Sequence, residues 1–152
     1  FAPDYVTGIP KAAKELGREA AGSFCANYAA LEKKEDGSME LIDEIPAGKT
    51  CLIVEDICTK GTGLRDAVAA IKKKSPDAYV VPWEFVVVNR GGLKEIRIET
   101  EHYSFRIMAL VEYRIKEWEP GPDTCPLCKR GSIPIKPKAT PENWELIKNG
   151  QK

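Results

Sequence analysis

Two neighbouring carboxylates, Glu55 and Asp56, stand just before a loop that is rich in hydroxyl groups and glycine, residues 59–63. Carboxylates accept hydrogen bonds from the paired hydroxyls of a ribose ring. Glycines let a backbone turn tightly and approach a ligand, so that its amides and the neighbouring threonine hydroxyls can bind a phosphate. This spacing therefore predicts a site for a phosphorylated sugar.

The elements on either side of these residues would hold them at the edge of a sheet. Residues 51–54 form a short apolar run, which is typical of a strand buried in a parallel sheet covered on both faces. Two acids are costly inside a core, so we expect Glu55 and Asp56 at the carboxyl end of that strand, where open α/β sheets bind ligands. Apolar residues then recur at helical spacing and predict a helix over 65–74, whose positive end would face an anion.

A simpler interpretation is that the acids cap a helix and that the glycines form an ordinary turn. Short motifs often occur without a ligand, so the residue types alone leave both interpretations open. The order of the whole segment favours a ligand site, because residues 51–64 resemble the phosphoribosyl pyrophosphate motif of type I phosphoribosyltransferases. Orotate phosphoribosyltransferases look most similar, since some read Asp-Asp-Val-Ile-Thr-Ala-Gly-Thr-Ala or Glu-Asp-Val-Ile-Thr-Thr-Gly here. Lys60 and Gly63 depart from the residues usual in that family.

This resemblance implies roles for the residues of the motif. Glu55 and Asp56 would be the catalytic acids that hold the ribose diol. Thr59 would also face the base. The loop that anchors the 5′-phosphate would consist of Thr59, Lys60, Gly61, Thr62 and Gly63.

The first strand of the chain ends in a second candidate binding loop. Residues 4–10 read as a short strand and a turn, followed by strong helix formers over 11–21. The pyrophosphate loop of the family lies at this junction, so the resemblance makes Thr7, Gly8 and Lys11 its counterparts. A plain strand-to-helix turn is the alternative for Lys11.

A third predicted strand end carries an arginine, Arg90. It follows the apolar runs 79–81 and 85–88, and residues 96–113 would complete the sheet. In the family an arginine at this strand end contacts the carboxylate of the base, and a guanidinium can make two parallel hydrogen bonds to a carboxylate. A surface arginine in a glycine turn is the alternative.

A charged segment over residues 32–38 follows a strand predicted over 23–31. Such runs are usually solvated loops. The resemblance places here the mobile catalytic loop of orotate phosphoribosyltransferases, whose lysines close over the pyrophosphate. Lys33 and Lys34 would then be catalytic residues.

Strands alternate with helices along the chain, which predicts an α/β fold with a central, mainly parallel sheet flanked by helices. This is the type I phosphoribosyltransferase fold that the resemblance implies, and the resemblance extends from Asp4 to about Lys138. We predict a core over residues 1–115 and a proline-rich tail over 116–152. Orotate phosphoribosyltransferases place a further segment, with part of the hood that covers the base, before this point, so we expect an N-terminal segment to be missing.

The composition limits the classes of protein to consider. The 152 residues suit one domain with a sizeable core, and 43% of them are hydrophobic. Lysine and arginine together number 23, as do aspartate and glutamate, so no global field favours nucleic acid or membrane binding. No apolar run approaches the roughly 20 residues that span a bilayer. We predict no nucleic-acid partner, no membrane partner and a cytoplasmic location.

The tail carries a cysteine pair, Cys125 and Cys128. Two thiolates can bind zinc, but a structural zinc site normally takes four ligands and the sequence has no second pair of this spacing. We favour a packing role over a Zn²⁺ half-site shared across a dimer, and both over redox activity. Some bacterial orotate phosphoribosyltransferases look similar here, with Cys-Pro-Leu-Cys after a Pro-rich spacer. The chain has five cysteines, an odd number that does not suggest a disulfide framework, so we expect reduced thiols.

The resemblance therefore implies transfer of a phosphoribosyl group from phosphoribosyl pyrophosphate to orotate, with release of pyrophosphate. Positive charge builds on the ribose as the leaving group departs, and Glu55 and Asp56 would hold the diol near that charge. Mg²⁺ would arrive with the pyrophosphate, without direct protein ligands, and the family implies a homodimer. The alternatives are a phosphoribosyltransferase for another base, a non-catalytic sensor of phosphoribosyl pyrophosphate, and a metal-knuckle binding module.

Overall fold

The computed structural model describes residues 2–132, 135 and 140–149. The chain divides into two compact units, Phe1–Ile115 and Lys116–Lys152. The end of the family resemblance near Lys138 lies outside the described residues. Among the residues described, no helix combines the length and the apolar character needed to cross a membrane.

A six-stranded sheet is the centre of the first unit. The strands of the chain are β1 (Tyr5–Gly8), β2 (Asn27–Tyr28), β3 (Leu31–Lys33), β4 (Met39–Leu41), β5 (Thr50–Cys58), β6 (Tyr79–Asn89), β7 (Glu95–Arg97) and β8 (Ser104–Glu112). The order in the large sheet is β2-β1-β5-β6-β8-β7, and β3 and β4 form a separate antiparallel hairpin. Every pair in the large sheet is parallel except β7 with β8. The predicted mainly parallel sheet is therefore confirmed.

Two helices of the first unit flank the sheet on opposite faces. They are α1 (Lys14–Ser23) and α2 (Thr62–Lys74). Leu64 and Val68 of α2 join a core cluster with Ile53 of β5. Ala21 of α1 joins a second cluster with Val54, the next residue of β5. Because neighbouring residues of a strand point to opposite faces, the two helices bury the two faces of β5.

The face on the α1 side is covered only in part. Apolar side chains of β6 and β8, among them Phe85, Met108 and Leu110, line an open groove of about 360 Å³ beside α1. The sequence predicted a sheet covered on both faces. The chain passes from β6 to β8 through a strand, β7, so no helix between these strands is available to cover this part of the face.

The helix predicted over residues 11–21 begins later, at Lys14. The amide of Ala13 donates to the carbonyl of Ile9 at 3.1 Å, so the residues between them form a turn. The loop between β1 and α1 is therefore longer than the sequence predicted.

The strand predicted over residues 23–31 is wrong. Helix α1 continues to Ser23, and the turn that follows includes Cys25 with a φ of 53°. Strand β2 is only two residues long, after which the chain leaves the large sheet for the β3-β4 hairpin. The charged residues 32–38, predicted as a loop, supply part of β3 and the turn of this hairpin.

The apolar runs 79–81 and 85–88 join in one strand, β6, which also contains Pro82. The pairing register of β6 with β5 shifts between Cys51 and Ile53. Proline has no N–H to donate to a ladder and is found in strands at edges and bulges, which accounts for an irregularity here.

The second unit contains two helices, α3 (Pro126–Lys129) and α4 (Pro141–Asn149). Cys125 precedes the short helix α3 and Cys128 lies within it. Trp144 of α4 is half-exposed.

Candidate functional site

Three loops meet at the carboxyl edge of the sheet, because β1, β5 and β6 are adjacent and parallel. The amide of Ile9, after β1, donates to the carbonyl of Val54 at 3.0 Å. The amide of Arg90, after β6, donates to the carbonyl of Cys58 at 2.8 Å. Strand β5 therefore holds the loops on both sides of it, and this edge is where open α/β sheets bind ligands.

Two glycines allow these loops to pack closely. A Cβ at Gly91 would lie 1.8 Å from the carbonyl oxygen of Thr59, so the loops after β5 and β6 touch through backbone atoms. A Cβ at Gly63 would lie 2.6 Å from Glu55 Oε1 and 3.3 Å from the side chain of Ile9. The departure from the family at Gly63 therefore has a physical reason, since the Glu55 carboxylate occupies the space of a side chain.

The two acids do not both lie beyond the strand, as the sequence predicted. Strand β5 extends to Cys58, so Glu55 and Asp56 lie within it. Glu55 is buried, with 8% of its surface exposed, whereas Asp56 is partly exposed. Only Asp56 is thus readily accessible to a ligand in solution, and Glu55 reaches the loop edge through Oε1 beside Gly63.

Glu55 has a buried acidic neighbour, Glu84 on β6, that the sequence interpretation missed. One ligand atom each of Glu55, Cys58 and Glu84 lie within 4.8 Å of one another. Burial, with a contribution from the Glu55 charge, raises the pKa of Glu84 to about 9. Burial also raises the pKa of Glu55 to about 7, and the charge of Asp56 adds to this effect.

Two signals in the sequence could have identified this cluster. Glu84 interrupts the otherwise apolar runs of β6, and an acid inside a buried strand needs a partner. Cys58 stands where both family motifs quoted above have Ile. Burial, reinforced by the charge of Glu84, raises the pKa of the Cys58 thiol to about 12.

The loop after β5 has the features of an anion site. Gly61 has a φ of 67°, a left-handed conformation that favours glycine, and Thr62 is the first residue of α2. Among the described residues, no side chain caps the first amides of this helix. The Arg65 guanidinium donates to the carbonyls of Lys60 (3.0 Å) and Gly61 (3.1 Å), which fixes the loop from the helix side. Free amides at a helix start are suited to a phosphate.

The three lysines predicted to contact pyrophosphate lie around one pocket. Lys11, Lys33 and Lys34 line an open pocket of about 530 Å³ together with Pro10, Glu35 and Gly37. Lys34 also pairs with Glu40 at 3.0 Å. The peptide bond between Pro10 and Lys11 is cis. The β3-β4 hairpin thus brings its two lysines to the loop after β1, which no local sequence pattern could establish.

Thr7 and Gly8 lie inside β1 rather than in the loop that follows it. Thr7 is completely buried, and among the described residues its hydroxyl oxygen has no hydrogen-bond partner. A Cβ at Gly8 would lie 1.8 Å from the carbonyl oxygen of Ala13, so this position requires glycine for the close return of the loop. Gly8 therefore has a packing role, whereas the buried hydroxyl of Thr7 has no assigned role.

Arg90 is held at the strand end by its neighbour Asn89, which the sequence interpretation did not select. Asn89 is completely buried. Its side-chain amide donates to the carbonyl of Leu93 at 2.7 Å, and its side-chain oxygen accepts from the amide of Gly92 at 2.9 Å. These two bonds fix the turn that carries Arg90.

The cysteines of the second unit form a hydrogen-bonded pair. The amide of Cys128 donates to Cys125 Sγ at 3.5 Å, and this backbone hydrogen bond lowers the pKa of Cys125. Among the described residues, no third His, Cys, Asp or Glu side chain joins them as a possible metal ligand. The pair alone would therefore supply only half of a zinc site.

Sequence comparison identifies relatives of known name, although no protein-family model matches the chain. It is 29% identical over 137 residues to the orotate phosphoribosyltransferase of Caldicellulosiruptor bescii, covering 88% of this chain and 65% of the relative. It is 34% identical over 130 residues to the orotate phosphoribosyltransferase of Sulfurovum sp., covering 80% of this chain and 62% of the relative. The chain thus spans less than two thirds of these relatives' length.

Structural comparison gives an adenine phosphoribosyltransferase with a TM-score of 0.57 and 18% sequence identity. The match covers 73% of this chain and 69% of that chain. At this identity the likeness establishes the fold alone. The α/β fold predicted from the motif resemblance is therefore confirmed as a type I phosphoribosyltransferase fold.

Proposed function

Because this chain is related by sequence and by fold to the type I phosphoribosyltransferases, we propose that it transfers the phosphoribosyl group of phosphoribosyl pyrophosphate to orotate. The products are orotidine monophosphate and pyrophosphate. The observation that carries the proposal is the meeting of three loops, after β1, β5 and β6, at one edge of the sheet. Each loop presents groups suited to a different part of the two substrates.

The loop between β5 and α2 would hold the 5′-phosphate. Its residues 59–63 combine two threonine hydroxyls with the amides at the start of α2, and the left-handed Gly61 opens the turn toward the ligand. Gly63 keeps the loop close to Glu55. The phosphate therefore binds mainly to backbone amides, with hydroxyls at its side.

Asp56 and Glu55 would hold the ribose. The diol donates to the carboxylate of Asp56, which is partly exposed, and to Glu55 Oε1 at the loop edge. When the bond to pyrophosphate breaks, positive charge grows on the ribose, and fixed carboxylates stabilise it more than water would. These acids thus bind the sugar and favour the transition state.

Lys11, Lys33 and Lys34 would neutralise the pyrophosphate in the pocket that they line. Mg²⁺ shields pyrophosphate oxygens when it is bound, and it prefers oxygen ligands and retains several waters. The buried cluster of Glu55, Cys58 and Glu84 does not suit that ion, because it contains a thiol and little access to water. We therefore propose that Mg²⁺ enters with the pyrophosphate and not through a protein cage.

Arg90 would bind the carboxylate of orotate. The turn that carries it is fixed by Asn89 and packed against Thr59 through Gly91. The main alternative is a phosphoribosyltransferase for another base, because the fold does not determine the base and is shared with an adenine phosphoribosyltransferase. The arginine distinguishes the two, because adenine has no carboxylate to receive two parallel hydrogen bonds.

Steady-state kinetics of two matched variants test the proposal. Asp56→Asn should lower kcat/KM for phosphoribosyl pyrophosphate by about 100-fold, in the range of other fixed electrostatic groups. Asp66→Asn removes an exposed carboxylate of α2 and should leave the kinetics unchanged. Equal kinetics for wild type and Asp56→Asn would remove Asp56 from the ribose site. Binding of phosphoribosyl pyrophosphate without turnover of any base would favour the sensor alternative.

A further inference from the structure

The core between β5 and β6 contains polar atoms that the proposed transfer reaction does not use. Glu84 is completely buried, and among the described residues neither of its carboxylate oxygens has a hydrogen-bond partner. Oε2 of the neighbouring Glu55 is buried and without a partner in the same way. Buried carboxylates without partners are costly, so this pair requires a cation or protons between its oxygens.

A third potential ligand completes the group. Cys58 is completely buried at the end of β5, and its Sγ lies within 4.8 Å of one oxygen of Glu55 and one of Glu84. These two oxygens also lie within 4.8 Å of each other. The three residues come from two neighbouring strands, so the sheet itself fixes their relative positions.

We propose that Glu55, Cys58 and Glu84 form a buried site for one Zn²⁺ ion. Zinc accepts thiolate and carboxylate ligands together, whereas Mg²⁺ and Ca²⁺ select oxygen alone. An ion midway between three atoms no more than 4.8 Å apart lies within about 2.8 Å of each. Small side-chain rotations then reach the usual zinc distances of about 2.0–2.3 Å.

The zinc site would lie on the buried side of Glu55, the residue proposed to bind the ribose. Glu55 Oε2 is buried without a hydrogen-bond partner among the described residues, while Oε1 lies beside Gly63 at the loop edge, so Oε2 is the oxygen available to an ion. A bound ion would therefore fix the Glu55 carboxylate without occupying the oxygen offered to the ribose. Binding exchanges the thiol proton and the proton of the carboxyl pair for the metal, and these protons pass to solvent.

Metal binding can be tested without any assay of phosphoribosyl transfer. The starting protein carries Cys125→Ser and Cys128→Ser, so that the cysteine pair of the second unit cannot contribute. After removal of metal with a chelator, it is titrated with Zn²⁺ by calorimetry and with Co²⁺ by absorption spectroscopy. We expect one equivalent per chain and a thiolate-to-cobalt charge-transfer band.

Three further substitutions in that protein locate the ion. Cys58→Ser should remove the charge-transfer band. Glu84→Gln should weaken Zn²⁺ binding by about 100-fold or more. Loss of a residue that only hydrogen-bonds to a metal ligand already lowers metal affinity by about 10–100-fold, and Glu84 would contact the ion itself. Cys51→Ala changes another buried cysteine of β5 that lies outside the cluster, and it should retain both signals. Circular dichroism checks that each variant is folded.

Two outcomes would overturn the proposal. In the first, the starting protein, which keeps the complete cluster, binds no stoichiometric Zn²⁺ or Co²⁺. Protons alone would then satisfy the buried oxygens of Glu55 and Glu84. Alternatively, binding could persist unchanged in both Cys58→Ser and Glu84→Gln, which would place the ion elsewhere. Neither outcome depends on the identity of the base or on turnover, so this proposal and the proposed function fail separately.

Discussion

Glu84→Gln should stabilise the metal-free protein at neutral pH. In the unfolded chain a glutamate has its ordinary pKa of 4.5, whereas burial in the fold raises that of Glu84 to about 9. Between these values the folded state holds more protons than the unfolded state, so the free energy of unfolding falls as the pH rises. The stability is complete below the unfolded pKa and is lost progressively up to the folded one. Glutamine removes this titration and keeps the size of the side chain.

The expected size of the effect follows from the two pKa values. At pH 7 the solution is about 2.5 pH units above the unfolded pKa, and each unit corresponds to about 1.4 kcal/mol. The upper bound is therefore about 3 kcal/mol, and relaxation around the buried pair reduces it. We expect the free energy of unfolding of Glu84→Gln to be higher than that of wild type by on the order of 2 kcal/mol at pH 7. Near pH 5 the two free energies of unfolding should be nearly equal.

Urea unfolding of chelator-treated protein at several pH values between 5 and 8 measures this difference. Glu95→Gln, an exposed position on β7, is the matched control and should leave the pH dependence unchanged. Asp4 does not interfere, because hydrogen bonds from Lys49 and Thr50 lower its pKa and move its titration below this range. A wild-type stability that stays level or rises from pH 5 to 8 would refute the argument. So would a Glu84→Gln variant that is less stable than wild type at pH 7.

Two further predictions concern the loops of the site. Gly91→Ala should destabilise the protein by about 2 kcal/mol or more in urea unfolding, because the new Cβ would lie 1.8 Å from the carbonyl oxygen of Thr59. The control is Gly22→Ala, where a Cβ would have no neighbouring atom within 4 Å, and it should show no such loss. Asn89→Ala should cost about 2 kcal/mol in urea unfolding, because the buried Asn89 side chain is lost and two partly buried backbone groups lose their partners. It should also raise KM for orotate, because the turn that carries Arg90 would no longer be fixed. An unchanged KM in folded Asn89→Ala would separate that turn from base binding.

The strand, loop and helix around residues 51–64 could be predicted because each depends on a local pattern. The apolar run, the glycines and the helical spacing of Leu64 and Val68 lie within one short segment. The end of β5 could not be predicted equally well from such a local pattern. Glu55 was expected outside the core because a buried acid is costly, but Glu84 on the next strand makes a buried acidic cluster with it.

Other features depend on contacts between distant parts of the chain. Lys11 and Lys33 line one pocket because a hairpin replaces the predicted loop, and that hairpin pairs residues on either side of a turn. The need for glycine at position 63 depends on the rotamer of Glu55. The Zn²⁺ proposal likewise combines Cys58 with Glu84 across two strands. Sequence spacing carries no direct information on such contacts.

Phosphoribosyl transfer is tested most directly by measuring pyrophosphate release from phosphoribosyl pyrophosphate and Mg²⁺ with a panel of bases. We expect rapid release with orotate, little release with adenine or without a base, and a loss of the orotate reaction in Arg90→Ala. Release with adenine in place of orotate would overturn the base assignment. No release with any pyrimidine or purine, from protein that binds phosphoribosyl pyrophosphate, would contradict the claim of catalysis.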